Sequence, residues 1–455
     1  MTTTSAGPTG SDTEPGEGRQ GATALNEETQ TSAAAQEAAL AIAPELVATS
    51  VSGYLRAWWM RVRGGDTGVL PIVIGLAVIV LIFQSQSSLF LSAGNITNLL
   101  VQGTVFVLFG LAEVFVLLLG EIDLSVGFVA GFGAVVVALL VGPVGLPWYL
   151  AVIAGLATTT AIGVVHGTLI TRLHLPSFVV TLAGLLFWEG AMIQLVNITS
   201  PTSGGVISIS NNPVIFNLVN GNMTAIEGWI TLIVVMGLYI TLTLRREARR
   251  RSRGLIAPPI RLTVLRLTLV SVAGVLLVLI FNTQRGTAAS PFSGIPPVVP
   301  GVLVVLVAAS FLLSSTRFGR YVYAIGGNAE AARRAGVNLT WVRTAAFGLS
   351  GLTAGLAGIV YESRLGSIAT DIDGGTYVLY AVAAAVIGGA SLFGGRGKPV
   401  HALLGGVVIA AIYNGMGLLQ MSAPVQYMVT GLVLLGALTV DRVARRGRAF
   451  RSADG

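Results

Sequence analysis

The chain contains no cysteine and a single lysine, Lys398. Without thiols, disulfides and thiolate metal sites are excluded. Histidine is almost as scarce: His166, His174 and His401 are scattered with no ligand spacing, and no cofactor site suggests itself. Charge is the third shortage. Charged residues make up 10% of the sequence against 53% hydrophobic ones, where a soluble domain carries about 25% charged residues. The shortfall is concentrated in apolar windows such as 69–81, 99–119, 126–140 and 298–313, most of them near the roughly 20 residues that a helix needs to cross a bilayer. Short segments alternating every second residue are absent, which excludes an outer-membrane barrel. The fold expected is all-α, a polytopic helical bundle of the inner membrane.

The net charge of +7 hides a split. Residues 1–50 hold Arg19 against seven acids (Asp12, Glu14, Glu17, Glu27, Glu28, Glu37, Glu45), a net −6 that leaves +13 for the rest. This segment is rich in small polar residues and nearly free of aromatics, so it reads as a disordered acidic tail. It lacks a basic region followed by an apolar one and is not a secretory signal. Residues 51–68, with Tyr54, Trp58, Trp59, Arg61 and Arg63, read as a basic, aromatic cytoplasmic lead-in. A basic body raises the question of nucleic acid, but the arginines lie in short clusters between apolar spans. That placement is the positive-inside pattern, which reports orientation; no nucleic-acid partner is expected.

The length rule gives about twelve spans: 69–91, 97–119, 126–142, 148–170, 176–197, 228–244, 262–281, 298–315, 345–361, 376–391, 400–421 and 424–440. They form a transmembrane domain over 69–440, followed by a basic tail, 441–455. With both termini cytoplasmic, the inner connections hold Arg172, the run Arg245 to Arg261, the group Arg317 to Arg343, and Arg396 with Lys398. The outer connection 198–227 has no Arg or Lys, and Arg285 and Arg364 are lone exceptions. A shift of 248 lays Gly103 on Gly351, Gly110 on Gly358, Asp123 on Asp371, Gly127 on Gly375, Gly167 on Gly415 and Pro176 on Pro424. Because it moves the second span onto the ninth, an inverted internal repeat is expected, a plan in which the substrate route runs between the halves.

Glycines four apart, as in Gly351, Gly355 and Gly127, Gly131, give small helix faces suited to close packing. The stretch Ser391-Leu-Phe-Gly-Gly-Arg-Gly-Lys398-Pro fails as a phosphate loop, because Leu392 and Pro399 stand where Gly and Ser or Thr are needed. Glu113 and Glu189 sit inside apolar spans, where a charge is costly unless paired or shielded; they either line a polar pathway or bond to neighbouring helices. Glu121, Asp123 and Ser125 fall between two spans, where Asp123 and Ser125 can cap the following helix or belong to the pathway, with Asp371 as the repeat partner. An intramembrane enzyme finds no support, since neither a His/Glu metal spacing nor a Ser/His pair is visible.

The segment 316–343 is long for a connection. Within it, Ala324-Ile-Gly-Gly-Asn328 leads to Glu330-Ala-Ala-Arg-Arg-Ala-Gly336. Asn328 can cap a short helix carrying Glu330 in its first turn, and Gly336 can end it. Such a helix on the membrane surface can fit a partner's groove.

Glu330-Ala331-Ala332, followed after three intervening residues by Gly336, is similar to the coupling-loop signature of permeases in ATP-binding-cassette importers. Ile122-Asp-Leu-Ser-Val-Gly127, Ala324 to Asn328 with Gly326 and Gly327, and Val386-Ile-Gly-Gly-Ala-Ser-Leu-Phe-Gly-Gly-Arg-Gly397 resemble the ribose/xylose-type sugar permeases of that class. Pro176-Ser-Phe-Val-Val-Thr-Leu-Ala183 resembles the xylose branch. The resemblance covers about 70–440 and departs at Gly120-Glu121, where the family has two glycines; the pair of spans 228–281 looks additional to a ten-span plan. It implies a pore made with a second permease subunit as a homodimer, an extracytoplasmic sugar-binding protein that delivers a monosaccharide such as xylose, and a separate cytoplasmic ATP-binding subunit docked on 316–343. The rivals are a branched-chain amino-acid permease, which would make Glu113 and Glu189 direct ligands, and an ion-coupled secondary transporter, which would use Glu113, Glu121 and Asp123.

Overall fold

The computed structural model describes residues 53, 56, 59, 60 and 68–439, apart from 201–204, 256–257, 287–291, 434, 437 and 438. The acidic segment 1–50, most of the lead-in and the tail 441–455 lie outside the described residues. Two compact units divide the chain, one of Met1–Gly64 with Tyr239–Leu269 and one of Gly65–Leu238 with Val270–Gly455.

The larger unit begins with α1 (Leu70–Gln86), α2 (Ala93–Leu117), α3 (Val126–Val141), α4 (Trp148–Arg172) and α5 (Ser177–Thr199). Ser92 starts α2 by accepting from the Asn95 amide. From Val101 to Leu117 this helix is buried around its whole circumference, which makes it the axis of the bundle rather than a lipid-facing wall. A strand β1 (Val206–Ser208) and a short helix α6 (Pro213–Asn220), capped by Asn212, follow. Helices α7 (Ala225–Ser252) and α8 (Ile260–Asn282) follow, and α9 (Val298–Ser315), α10 (Arg317–Gly327) and α11 (Ala329–Arg334) come next. The chain then forms α12 (Leu339–Leu365), strand β2 (Ser367–Ala369), α13 (Gly374–Ile387), α14 (Pro399–Leu418) and a last helical stretch, 423–433.

Eight of the described helices are long and apolar enough to cross a membrane, and α1, α3 and α13 are shorter apolar ones. The protein is an all-α polytopic membrane protein. Its repeat is legible in the elements: shifted by 248, the starts of α2, α3 and α4 fall on 341, 374 and 396, beside the observed starts of α12, α13 and α14 at 339, 374 and 399. Packing repeats as well. Contacts of α2 with α14 are matched by α12 with α4, and those of α3 with α12 by α13 with α2. A Cβ at Gly351 would overlap the Thr159 carbonyl, and one at Gly358 the Ala130 carbonyl, so the small face of α12 serves backbone approach to α4 and α3.

The sequence did not anticipate the two strands, which pair antiparallel with Val206 opposite Ala369, Ile207 opposite Ile368 and Ser208 opposite Ser367. Ile207 and Ile368 are buried while their neighbours are not, so this small ribbon ties the 200–210 connection to the end of α12.

The smaller unit includes the end of α7 and the start of α8. Glu247 closes its arginine-rich turn. Its carboxylate accepts from the buried Thr263 hydroxyl at 2.7 and 2.8 Å and pairs with Arg251 at 3.5 Å, whose guanidinium also donates to the Pro258 carbonyl.

Candidate functional site

At one end of the bundle lies the segment read as a coupling element. Asn328 accepts from the Ala331 amide at 2.9 Å and starts α11. Gly336, with φ +82, ends it: its N–H bonds the Arg333 carbonyl and the Val337 N–H bonds the Ala332 carbonyl, both at 3.0 Å. This double bond around a left-handed residue is a common helix stop. Glu330 is exposed and collects Arg333 and Arg334 at 2.9 and 3.0 Å; hydrogen bonds from these two arginines hold its carboxyl below the usual range. Ala332 is buried, whereas Gly327, Asn328, Ala331 and Gly336 are exposed. Gly326 does something else: a Cβ there would overlap the Leu118 carbonyl and the Gly395 nitrogen. With the bonds from Gly395 N–H to the Leu118 carbonyl (2.9 Å) and from the Tyr323 hydroxyl to the Gly397 carbonyl (2.7 Å), it fastens α10 to the end of α2.

The same end contains Gly120-Glu121. Gly120, with φ +78, makes the left-handed stop of α2 by itself, and the Glu121 N–H bonds the Val116 carbonyl. A second glycine is not required; the side chain in its place pairs with Arg343 at 3.6 Å.

Deeper in the bundle, Asp123 is buried and fully engaged. Its Oδ1 accepts from the Ser125 amide (3.0 Å) and hydroxyl (2.5 Å), and its Oδ2 accepts from the Ser350 hydroxyl on α12 (3.1 Å). The Trp188 indole donates to Nε2 of His166 (3.3 Å), which leaves Nδ1 to donate to Ser125 Oγ (3.3 Å). A Ser/His pair therefore exists where the sequence showed none. It is no nucleophile, because the hydroxyl proton is directed at Asp123 and Ser125 is 0% exposed. Ser125 occupies the N-cap position of α3 without making a capping bond; Asp123 organises the turn before the helix instead of capping it. In the second half the cap is Asp373, which accepts from the Thr376 amide at 3.1 Å, and the sequence-aligned Asp371 is exposed and makes no cap. Burial works against the Asp373 charge, but donors from Thr376 and Tyr427 outweigh it and hold the carboxyl below the usual range.

Glu113 is sealed in the core with both carboxyl oxygens unpartnered among the described residues, and Glu362 on α12, absent from the sequence reading, is in the same condition. Glu189 is half-buried on α5.

Two cavities lie at the other end, where α2 begins and α12 ends. The outer one, of about 520 Å³, is lined by Thr97, Asn98, Asn220, Asn222, Arg285 and Arg364 among others. The inner one, of about 160 Å³, is lined by Gln102, Phe106, Tyr361, Arg364, Tyr377 and Tyr413 with Val105 and Leu365. Arg364 lines both and donates to Asn98 at 3.3 Å. Arg285 donates to Asn222 at 2.9 Å and to the Gly294 carbonyl at 2.6 Å. The rings interlock: Tyr361 meets Tyr377 at 5.1 Å between centroids and Phe106 meets Tyr413 at 5.5 Å. Among the described residues no carboxylate lines either cavity, although Asp371 lies within electrostatic reach of Tyr361. Of the sequence-selected pathway residues, Glu113, Glu121, Asp123, Ser125, Glu189 and Asp371, none lines them. The usable signal was different: Arg285 and Arg364 were the two arginines that broke the charge pattern.

Comparison with known proteins bears on both ends. A family model described as Branched-chain amino acid transport system / permease component matches residues 95–438. The Xylose transport system permease protein XylH of Escherichia coli (strain K12) is 32% identical over 381 residues, 83% of this chain and 92% of that relative. XylH of Haemophilus influenzae is 34% identical over 84% of this chain and 98% of its own length. The D-allose transport system permease protein AlsC of Escherichia coli (strain K12) is 30% identical over 81% of this chain and 90% of its own length. No solved structure matches the chain. The match from the first residues of α2 to the last helix, with relatives aligned over nearly their full lengths, means that this chain belongs to the family of branched-chain amino acid transport system / permease components.

Proposed function

We propose that this chain is the membrane-spanning permease subunit of an ATP-driven importer for a monosaccharide, with xylose-like pentoses as its substrates. The observation that carries the sugar reading is the lining of the two cavities. Two guanidiniums, several carboxamides and three phenols offer hydrogen bonds to hydroxyl groups, and the aromatic rings offer faces for the C–H side of a sugar ring. A branched-chain amino acid needs an anion for its ammonium group and an apolar slot. Among the described residues neither cavity has a carboxylate in its lining, and Glu113 and Glu189, the ligands that reading requires, lie elsewhere. The curated relatives, named for xylose and allose transport, support the same choice.

ATP hydrolysis belongs to a separate cytoplasmic subunit, for which the exposed, capped helix α11 is the docking element, with Glu330, Ala331 and Gly336 on its surface and Gly326, Gly327, Asn328 and Ala332 forming its frame. The arginine-rich end of the bundle then faces the cytoplasm, as do both termini, and the cavities face the side from which a sugar-binding protein delivers its cargo. A second copy of the chain completes the pore. An ion-coupled mechanism loses its main candidate, since Asp123 already receives three donors. The test is reconstitution of the chain with its ATPase and binding protein in vesicles: ATP-driven accumulation of D-xylose, unaffected by collapsing proton and sodium gradients, is expected. Uptake of L-leucine instead, or uptake that follows an ion gradient without ATP, contradicts the proposal.

A further inference from the structure

We infer that the inner cavity is a resting site for a neutral sugar within the permease itself, one that the chain can fill without its binding protein. This inference rests on the sugar-importer reading above and adds the residues that hold the ring. The two cavities follow one another along α2. Thr97, Asn98 and Val101 line the outer one, and Gln102, Val105 and Phe106 the inner one, one helical turn deeper at about 1.5 Å per residue. Arg364 belongs to both linings.

The inner site is a built one. Gln102 is 9% exposed, yet its Oε1 has no hydrogen-bond partner among the described residues. A buried carboxamide oxygen left unmatched is costly, and a ligand hydroxyl donating to it removes that cost. Across the cavity the Arg364 guanidinium keeps donors beyond the one bond to Asn98, and its planar fork suits two neighbouring hydroxyls. Tyr361, Tyr377 and Tyr413 add phenolic hydroxyls that can give or accept. Phe106, stacked on Tyr377 at 6.1 Å and edge-on to Tyr413 at 5.5 Å, supplies an apolar floor. The volume of about 160 Å³ gives room for a single small ring. One acceptor, one fork of donors and an aromatic wall, with no acid among the described lining residues, match vicinal hydroxyls on a ring with C–H faces.

The test uses the full chain purified into lipid nanodiscs, without ATPase or binding protein, and equilibrium dialysis against radiolabelled D-xylose. Saturable binding is expected, competed by D-allose less well and by L-leucine not at all. Gln102→Leu keeps the side-chain size and removes the acceptor; it is expected to weaken D-xylose binding about tenfold. In reconstituted vesicles it raises the concentration for half-maximal ATP-driven uptake by a similar factor. Tyr377→Phe, which keeps the ring, is expected to fall between the two. A purely structural Gln102 would leave both affinities where they are. If ATP-driven sugar uptake is intact while dialysis shows no saturable binding, or Gln102→Leu binds as the natural chain does, the inner site is overturned and the transport reading stands. If the complete assembly moves no sugar at all, the transport reading falls first and the site with it.

Discussion

The Ser350 hydroxyl on α12 donates across 3.1 Å to Oδ2 of Asp123 in the turn before α3. This bond joins the two halves of the repeat at a residue that is 2% exposed. With Ser125 supplying two further donors to Oδ1, the carboxylate is a structural acceptor. Replacing Asp123 by Asn keeps Oδ1 for Ser125 and lets the Ser350 hydroxyl turn to accept from the new amide. Its cost is therefore expected to stay within about 1 kcal/mol. Asp123→Ala leaves three buried donors unmatched and is expected to cost about 3 kcal/mol or more, seen as a sharp fall in folded, membrane-extracted protein. A well-folded Asn variant that transports nothing would show that the charge itself is used.

The orientation can be measured directly because the chain has no cysteine. Ser210 is exposed just after β1, and Ser252 is exposed at the end of α7. An impermeant thiol reagent applied to intact spheroplasts should modify Ser210→Cys and spare Ser252→Cys until the membrane is opened. The reverse pattern turns the protein over and places the cavities on the cytoplasmic side.

The exposed carboxylate of Glu330 gives a pH expectation. Arg333 and Arg334 hold its pKa below the ordinary value by hydrogen bonding. A depressed acid contributes fully above its unfolded pKa, about 4.3, and loses that contribution as pH falls through the lower folded value. Copurification of the ATPase with the permease should therefore be flat from about pH 8 down to about pH 5, and Glu330→Gln should weaken it across the whole range. A midpoint near neutrality would assign the docking to some other group.

Helices and caps were legible where the signal was local. Asn328, Glu330 and Gly336 specify α11 by short-range rules, and the apolar windows specify the spans, because each depends on residues within a turn or two. The cavities were not legible, since they bring together α2, α12, α13 and α14 from positions up to several hundred residues apart. Gln102 and Tyr377 are unremarkable in an apolar stretch until the packing leaves space beside them. Asp371 was chosen by alignment with Asp123, but the N-cap position is two residues later in both halves: the same shift lays Ser125 on Asp373, and the capping bond is made there. Arg285 and Arg364 carried the usable hint: a charge on the wrong side of the charge pattern stands out only when function or packing retains it there.

Two glycines of one segment should fail for different reasons. Gly336 has open space around its Cα but φ +82, a left-handed conformation. There the difficulty is backbone strain, about 1–2 kcal/mol for most residues and less for Asn. Gly326 has no positive φ to satisfy, but a Cβ would strike the Leu118 carbonyl and the Gly395 nitrogen. There the difficulty is space, and every side chain meets it. Gly336→Asn is therefore expected to retain most ATP-driven uptake, with Gly336→Ala intermediate and Gly336→Val poor. At Gly326, Ala and Asn should both detach α10 from the end of α2, giving a protein that inserts but neither holds the ATPase nor transports. Measuring uptake and ATPase copurification for the set separates the two causes: an Asn variant at Gly336 as damaged as Ala at Gly326 would mean that the surface of Gly336, rather than its backbone, is what the partner reads.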